Sequence, residues 1–174
     1  MTAPRFAEQL NLQIGNELAA HNQYLACAVY YDAKTMPQMA AFFYTQALEE
    51  RDHALMMVQY LLDTDVEAVI PGVAAPVSSF EDVVAPVALA LAQEKRVTEE
   101  INTLLRIARE ENDYASEQFV QWFIKEQVEE VATMSDLLAV VTRNRDGIED
   151  IEEFVAREQK SDDGDPTAPR VAGG

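Results

Sequence analysis

Thr64-Asp-Val-Glu-Ala-Val-Ile-Pro71-Gly72-Val-Ala-Ala-Pro76-Val-Ser-Ser79 is the stretch whose reading decides the fold. It collects Pro71, Gly72 and Pro76 into one breaker-rich segment. Upstream, from Gln38 to Ile70, there is neither Pro nor Gly, and from Val87 to Asp146 there is again neither. In both long stretches apolar residues recur at spacings of three and four, the period of a helix, and strand-type alternation is absent. The segment therefore separates two helical halves. A helix of ~28 residues is ~42 Å long. Extended chain covers ~3.3 Å per residue, so a loop of about 15–18 residues travels that whole length. Loops this long are uncommon in compact domains unless they have such work to do. The helices on either side are then parallel.

Working outward, the pattern predicts five helices. The first runs from about Pro4 to Tyr31. The second opens at Thr35-Met-Pro-Gln38, with Thr35 as N-cap, Pro37 in the first turn and Gln38 completing a capping box, and runs to about Asp63. The third opens near Ser79-Phe-Glu-Asp82 and continues to about Glu111, with Pro86 close enough to the start to be tolerated. Asn112-Asp113 is a short break. The fourth then runs to about Thr142, and a short fifth from Asp146-Gly-Ile-Glu149 to Glu158. Helices one and two, and three and four, are joined by about three residues, so each pair forms an antiparallel hairpin. The expected fold is all-α: a four-helix bundle with one long crossover between helices two and three, plus a short fifth helix. The division is 1–158 as one domain and 159–174 as a polar, disordered tail.

Composition limits the function. The chain has 174 residues, 48% of them apolar, enough for one domain with a real core. Lys and Arg total 13 against 31 Asp and Glu, a formal charge of −18. Such a body repels nucleic acid and anionic membrane and attracts cations. Cys27 is the one cysteine, which excludes a disulfide framework and a Cys-based metal site, and it reads as a small core residue. The N-terminal stretch lacks an apolar signal core, and no run of 18 apolar residues occurs, so the expected location is cytoplasmic.

The functional signal is a set of acids that interrupt the apolar stripes. Glu17 lies among Leu10, Ile14, Ala20 and Tyr24. Glu50 lies among Phe43, Ala47, Ala54 and Met57. Glu94 lies among Val87, Ala90, Leu91, Val97 and Ile101, and Glu130 among Phe123, Gln127, Met134 and Leu137. Each falls within about three residues of its helix midpoint, roughly 4 Å of axial rise, so the four meet in one layer at mid-bundle. Unpaired buried carboxylates are costly and take up protons. Four in one core call for a cation. Glu50-x-x-His53 places two ligands one turn apart on one face, a two-metal arrangement, and oxygen donors with a single imidazole suit Fe²⁺ or Mn²⁺. His21, one turn after Glu17 but about 40° off its direction, reads as a boundary residue. Taken singly, Glu49, Glu126 and Glu129 are ordinary solvated charges, and Tyr24 is a core aromatic whose hydroxyl needs a partner.

Together these residues resemble the ferritins, specifically the haem-free prokaryotic ones, from about Phe6 to Glu158. The carriers are Glu17 with Tyr24, Glu49-Glu50-Arg51-Asp52-His53, Gln93-Glu94, and Gln121-Trp-Phe-Ile-Lys-Glu126-Gln127-Val-Glu129-Glu130. The resemblance implies a ferritin-like bundle with a diiron ferroxidase centre. Glu17, Glu50 and His53 would hold one iron, with Glu50 bridging to a second iron held by Glu94 and Glu130. Gln127 would lie beside them as part of the metal site, supporting the ligands or positioning oxygen. Tyr24 would hydrogen-bond Glu94 and supply an electron or orient ligands. Glu49, Glu126 and Glu129 would form a third iron site. The substrates implied are Fe²⁺ and O₂ or H₂O₂, and the assembly is a shell of 24 subunits with the fifth helix near its fourfold axes. Bacterioferritins repeat Glu-x-x-His in the fourth helix, where this chain has Gln127-x-x-Glu130. Their haem-ligating Met is replaced by Arg51, so no haem is expected. Rubrerythrins need a Cys-rich site. The mini-ferritins that bind DNA often use basic tails, whereas this tail carries Asp162, Asp163 and Asp165. Two other readings stay open at this level: an acidic bundle whose metal only stabilises the fold, and a diiron oxidase acting on an organic substrate.

Overall fold

A computed structural model of the chain describes residues 2–158 and 165–174. It contains α1 (Pro4–Ala33), α2 (Pro37–Asp63), α3 (Ala85–Glu110), α4 (Tyr114–Arg143) and α5 (Ile148–Glu158), with no strand among the described residues. The all-α bundle, its helix order and its long crossover are as the sequence predicts. None of the described helices is long and apolar enough to cross a membrane.

Two helix starts differ from expectation. Thr35 is not a cap. It takes a left-handed conformation, φ 60°, and the Met36 amide turns back to donate to the Tyr31 carbonyl at 3.0 Å. A reversal this short between antiparallel helices needs one such residue, and Thr35 supplies it without glycine. The α2 start is capped from far along the chain instead. The carboxylate of Glu152 in α5 accepts the amides of Gln38 and Met39 at 2.8 and 3.0 Å. Likewise α3 begins at Ala85, not near Ser79. Pro86 has no N–H for the carbonyl four residues back, and its ring would clash there, so no helix extends upstream through it. Asp82 instead receives the Val84 and Ala85 amides at 2.9 and 3.0 Å. Asp113 is a true cap for α4, accepting from the Ser116 amide at 3.1 Å. Its other oxygen takes the Ala3 amide at 2.8 Å, tying the start of α4 to the start of α1.

The crossover runs alongside α1 in order. Asn11 accepts from the Val69 amide and donates to the Glu67 carbonyl. Gly15 meets Pro71 so closely that a Cβ there would lie 2.8 Å from the ring. Gln23 clamps both backbone groups of Val77 at 2.8 and 2.9 Å, and the Tyr31 hydroxyl donates to the Val83 carbonyl at 2.6 Å. The loop thus climbs the length of α1 and returns α3 parallel to α2.

The apolar core is in two parts. One gathers Tyr31, Met39, Phe43, Val87, Leu137 and Ile151 at the α5 end. The other gathers Phe6, Leu10, Met57, Leu61, Leu104 and Phe123 at the opposite end. Buried polar residues lie between them. Part of the segment beyond α5, residues 159–164, is outside the described residues. Residues 165–174 lie against α2 and α4. Asp165 accepts from the Trp122 indole and the Lys125 ammonium at 3.1 and 3.2 Å, Arg170 pairs with Asp63 at 2.7 Å, and the Ala172 amide donates to the Leu55 carbonyl at 3.2 Å. Ala168 and Val171 rest on the second core cluster.

Candidate metal centre

Each of the four core helices sends one carboxylate into the layer between the two apolar clusters. Glu17, Glu50, Glu94 and Glu130 are all at least 95% buried. Helical periodicity puts them there: each occupies an inward position on a stripe that is otherwise apolar. His53, one turn beyond Glu50, is also buried. Its Nδ1 lies 4.0 Å from Glu17 Oε2 and 3.9 Å from Glu50 Oε2. Trp122 and Phe123 of α4 face the imidazole edge-on, each with ring centroids 5.7 Å away. One donor atom each from Glu17, Glu50 and His53 lies within 4.8 Å of the others. Among the described residues this is the one such cluster of three or more acid, His or Cys donors.

Glu94 is held separately. The Tyr24 hydroxyl donates to its Oε1, and Gln127 Nε2 donates to its Oε2 at 3.1 Å. Tyr24 itself is fully buried, and burial together with the Glu94 charge keeps its phenol protonated, a donor at any physiological pH. Glu130 faces Glu94 from α4, close enough that the Glu94 charge helps to raise its carboxyl.

The electrostatics of the layer are unfavourable as it stands. Burial pushes the Glu17, Glu50 and Glu130 carboxyls well above the usual carboxylate range, and neighbouring charges add to it: Glu50 on Glu17, and Glu94 on both Glu50 and Glu130. Glu94 is raised less, because Tyr24 and Gln127 donate to its charged form. Among the described residues no Lys or Arg forms an ion pair within 4 Å of any of the four. Glu17 Oε2 is buried without a donor, and the groups facing it are Glu50 and His53. Only shared protons or bound cations make such a layer tolerable. Neutral imidazole with carboxylate oxygens fits hard to intermediate divalent metals, and nothing in the layer would serve a soft one.

The outer acids are placed differently. Glu126 is half-buried and raised by burial, Glu129 is exposed, and Glu49 receives an amide hydrogen bond from Gln46. His21 is outside the cluster, with its Nδ1 on the Ala47 carbonyl at 2.5 Å. Cys27 is buried beside Gln23, and its thiol is pushed up to about 12 by burial, which leaves it inert. The Arg51 guanidinium bonds Asp52. Two buried amides escaped the sequence reading. Gln13 donates to Glu17 Oε1 at 2.8 Å, and Gln46 stands one turn before Glu50. A signal for both was present: each is a glutamine four residues before a core glutamate.

A helical bundle with a carboxylate layer of this kind belongs to the class of proteins that hold metal between facing helices. Comparison with known proteins narrows the class. The ferritin-like domain family matches residues 7–144. Over 170 residues the chain is 51% identical to ferritin BfrB of Mycolicibacterium smegmatis, covering 98% of this chain and 94% of that one. It is 36% identical over 143 residues to the bacterial non-heme ferritin of Staphylococcus aureus, covering 82% and 86% respectively. Among solved structures, the open-pore ferritin of the hyperthermophilic archaeon Archaeoglobus fulgidus superposes with a TM-score of 0.86 at 25% identity, over 91% of this chain and all of that one. The chain belongs to the ferritin family, a family of iron-storage proteins.

Proposed function

We propose that the chain stores iron by oxidising Fe²⁺ in the carboxylate layer and passing the ferric product to a mineral inside a closed shell. One observation carries this: four buried carboxylates and an imidazole at one level, with no Lys or Arg among the described residues in ion-pair contact with any of them. Glu17, Glu50 and His53 hold one Fe²⁺. Glu50 bridges to a second held by Glu94 and Glu130, and Gln127 and Tyr24 fix the Glu94 carboxylate. Oxidation of the pair releases two electrons, which with two protons reduce O₂ to H₂O₂ or H₂O₂ to water. The acidic groups give up their protons as Fe²⁺ binds, so uptake weakens as pH falls and protons compete for the ligands. Fe³⁺, with its higher charge, is stabilised more than Fe²⁺ by the same carboxylates, which drives the step forward. Glu49, Glu126 and Glu129 then form a third iron site beside the pair. The shell has 24 subunits with α5 near the fourfold axes, binds no haem, and works in the cytoplasm. The open-pore description of the archaeal relative fits a hollow assembly.

The test is direct. Metal-free protein is mixed aerobically with excess Fe²⁺, then sized by gel filtration and analysed for iron. The expected result is a large particle holding far more iron than its ligand sites. Two or three irons per chain on a small oligomer would sink the storage reading.

A further inference from the structure

We infer that Gln13 is a positioning residue that sets how Glu17 presents its carboxylate to Fe²⁺, and that Asn16 and Glu100 brace it from the outer surface. This rests on the reading of the layer as an Fe²⁺ site. Gln13 is fully buried on an apolar face of α1, beside Leu10 and Ile14. A primary amide in that place is costly unless both of its ends are paired. Both are. Its Nε2 donates to Glu17 Oε1 at 2.8 Å, and its Oε1 accepts from Asn16 Nδ2 at 3.3 Å. Asn16 Nδ2 also donates to Glu100 Oε2 on α3 at 3.0 Å. The result is a continuous chain, Glu17 to Gln13 to Asn16 to Glu100, from the buried layer to water. Its outer end lines a cleft of about 190 Å³ between α1, α3 and crossover residues 74–76.

The consequence for metal lies in which oxygen is left free. With Oε1 held by the Gln13 amide, Glu17 offers Oε2 alone, and Oε2 is the atom that faces His53 Nδ1 at 4.0 Å. Gln13 therefore selects a monodentate mode and fixes the side chain before metal arrives. That preorganisation matters because a free carboxylate could turn away or chelate with both oxygens. Glu50 has no amide clamp of this kind: the Gln46 amide one turn before it donates to Glu49 instead, and the group that meets Glu50 is the Glu17 carboxyl. The asymmetry suits a fixed terminal ligand at Glu17 and a mobile bridging one at Glu50.

The experiment is an anaerobic Co²⁺ titration of the assembled protein, followed by calorimetry and by visible absorption of the bound ion. Wild type is expected to take two Co²⁺ per chain in the carboxylate layer, with any further, weaker ion going to Glu49, Glu126 and Glu129. Gln13→Leu should weaken the Glu17–Glu50–His53 site ~10–100-fold, the usual effect of removing a group that orients a metal ligand. It should also change that site's absorption band and leave the second site at wild-type affinity. Asn16→Ala, at an exposed position, should weaken the same site a few-fold. Wild-type affinity and spectrum in Gln13→Leu would overturn the inference, as would equal weakening of both sites, which marks a merely structural role. Should Gln13→Leu fail to assemble, Asn16→Ala decides alone, and wild-type binding there overturns it. Absence of Co²⁺ binding in the wild type would instead overturn the metal-site reading itself.

Discussion

Glu17→Gln should make the metal-free protein more stable, and increasingly so as pH rises. The side chain is 1% exposed and its carboxyl is raised well above the ordinary value of 4.5 by burial and by Glu50. A raised acid keeps its proton in the native state after the unfolded chain has lost it. The native state then binds more protons, so stability falls as pH climbs from about 4.5 toward the native pKa. At pH 7 the unfolded group is about 2.5 pH units past its own pKa. At about 1.4 kcal/mol per unit, the ceiling on the penalty is about 3–4 kcal/mol. Glutamine is the neutral isostere of the protonated acid. It keeps an oxygen for Gln13 and turns a donor toward Glu50, so it removes the penalty without leaving a gap. For a chain of this size the gain corresponds to roughly 7–14 °C in Tm at most. The assay is a melting series on chelator-treated protein from pH 5 to 8 at fixed concentration. Wild type should lose Tm with rising pH, and the variant should follow a shallower slope by about one proton. Parallel curves, or a variant less stable than wild type at pH 8, would refute the proton-holding argument. Divalent metal should reverse the order, stabilising wild type more than the variant.

Other outcomes follow from the same geometry. Glu50→Ala and Glu94→Ala should slow Fe²⁺ oxidation, read as the rise in ferric absorbance, by at least about tenfold, with gel filtration unchanged; wild-type rates would remove both from the centre. Asp113→Ala should cost about 1–2 kcal/mol by uncapping α4, measured as a fall in Tm at neutral pH. Burial opposes ionisation of Asp113, but the Ala3 and Ser116 donors hold its pKa below the ordinary value, so the wild-type advantage should fade as pH drops through that range. Asp165→Ala should shift the fluorescence of Trp122, the single tryptophan, by freeing its indole N–H. Because Asp165 is held well below the usual carboxylate range by Thr167, Trp122 and Lys125, the difference in emission between wild type and variant should persist from pH 7 down to about 4.

What was legible in the sequence was whatever periodicity and breakers encode. The two Pro- and Gly-free stretches, the crossover between them and the level of the four glutamates are all properties of spacing along single helices, and the structure has them where spacing puts them. What local reading misses depends on partners far along the chain. The α2 cap is one case, since Glu152 lies 114 residues from Gln38. The α3 start is another: Ser79-x-x-Asp82 looks like a cap, but Pro86 forbids the turn that would follow. Gln13 resembled any polar residue on an amphipathic helix, and only its fully buried position shows that it serves Glu17. Asp165 lies in a polar stretch without periodicity, yet the Trp122 indole reaches it from α4.

The division of the apolar core by the carboxylate layer has a consequence for how the bundle breathes. An ordinary helix frays from its tips, and its middle is the last part to exchange amide hydrogen with solvent. Here each half of the bundle owns its own apolar packing, and the plane between them is where repulsion is stored. In metal-free protein, opening should begin at that waist as well as at the ends. Amides near Glu17, Glu50, Glu94 and Glu130 should then exchange faster than those around Phe43 or Leu104. A cation seated between the halves joins them into one cooperative unit, so the cargo also acts as the bolt.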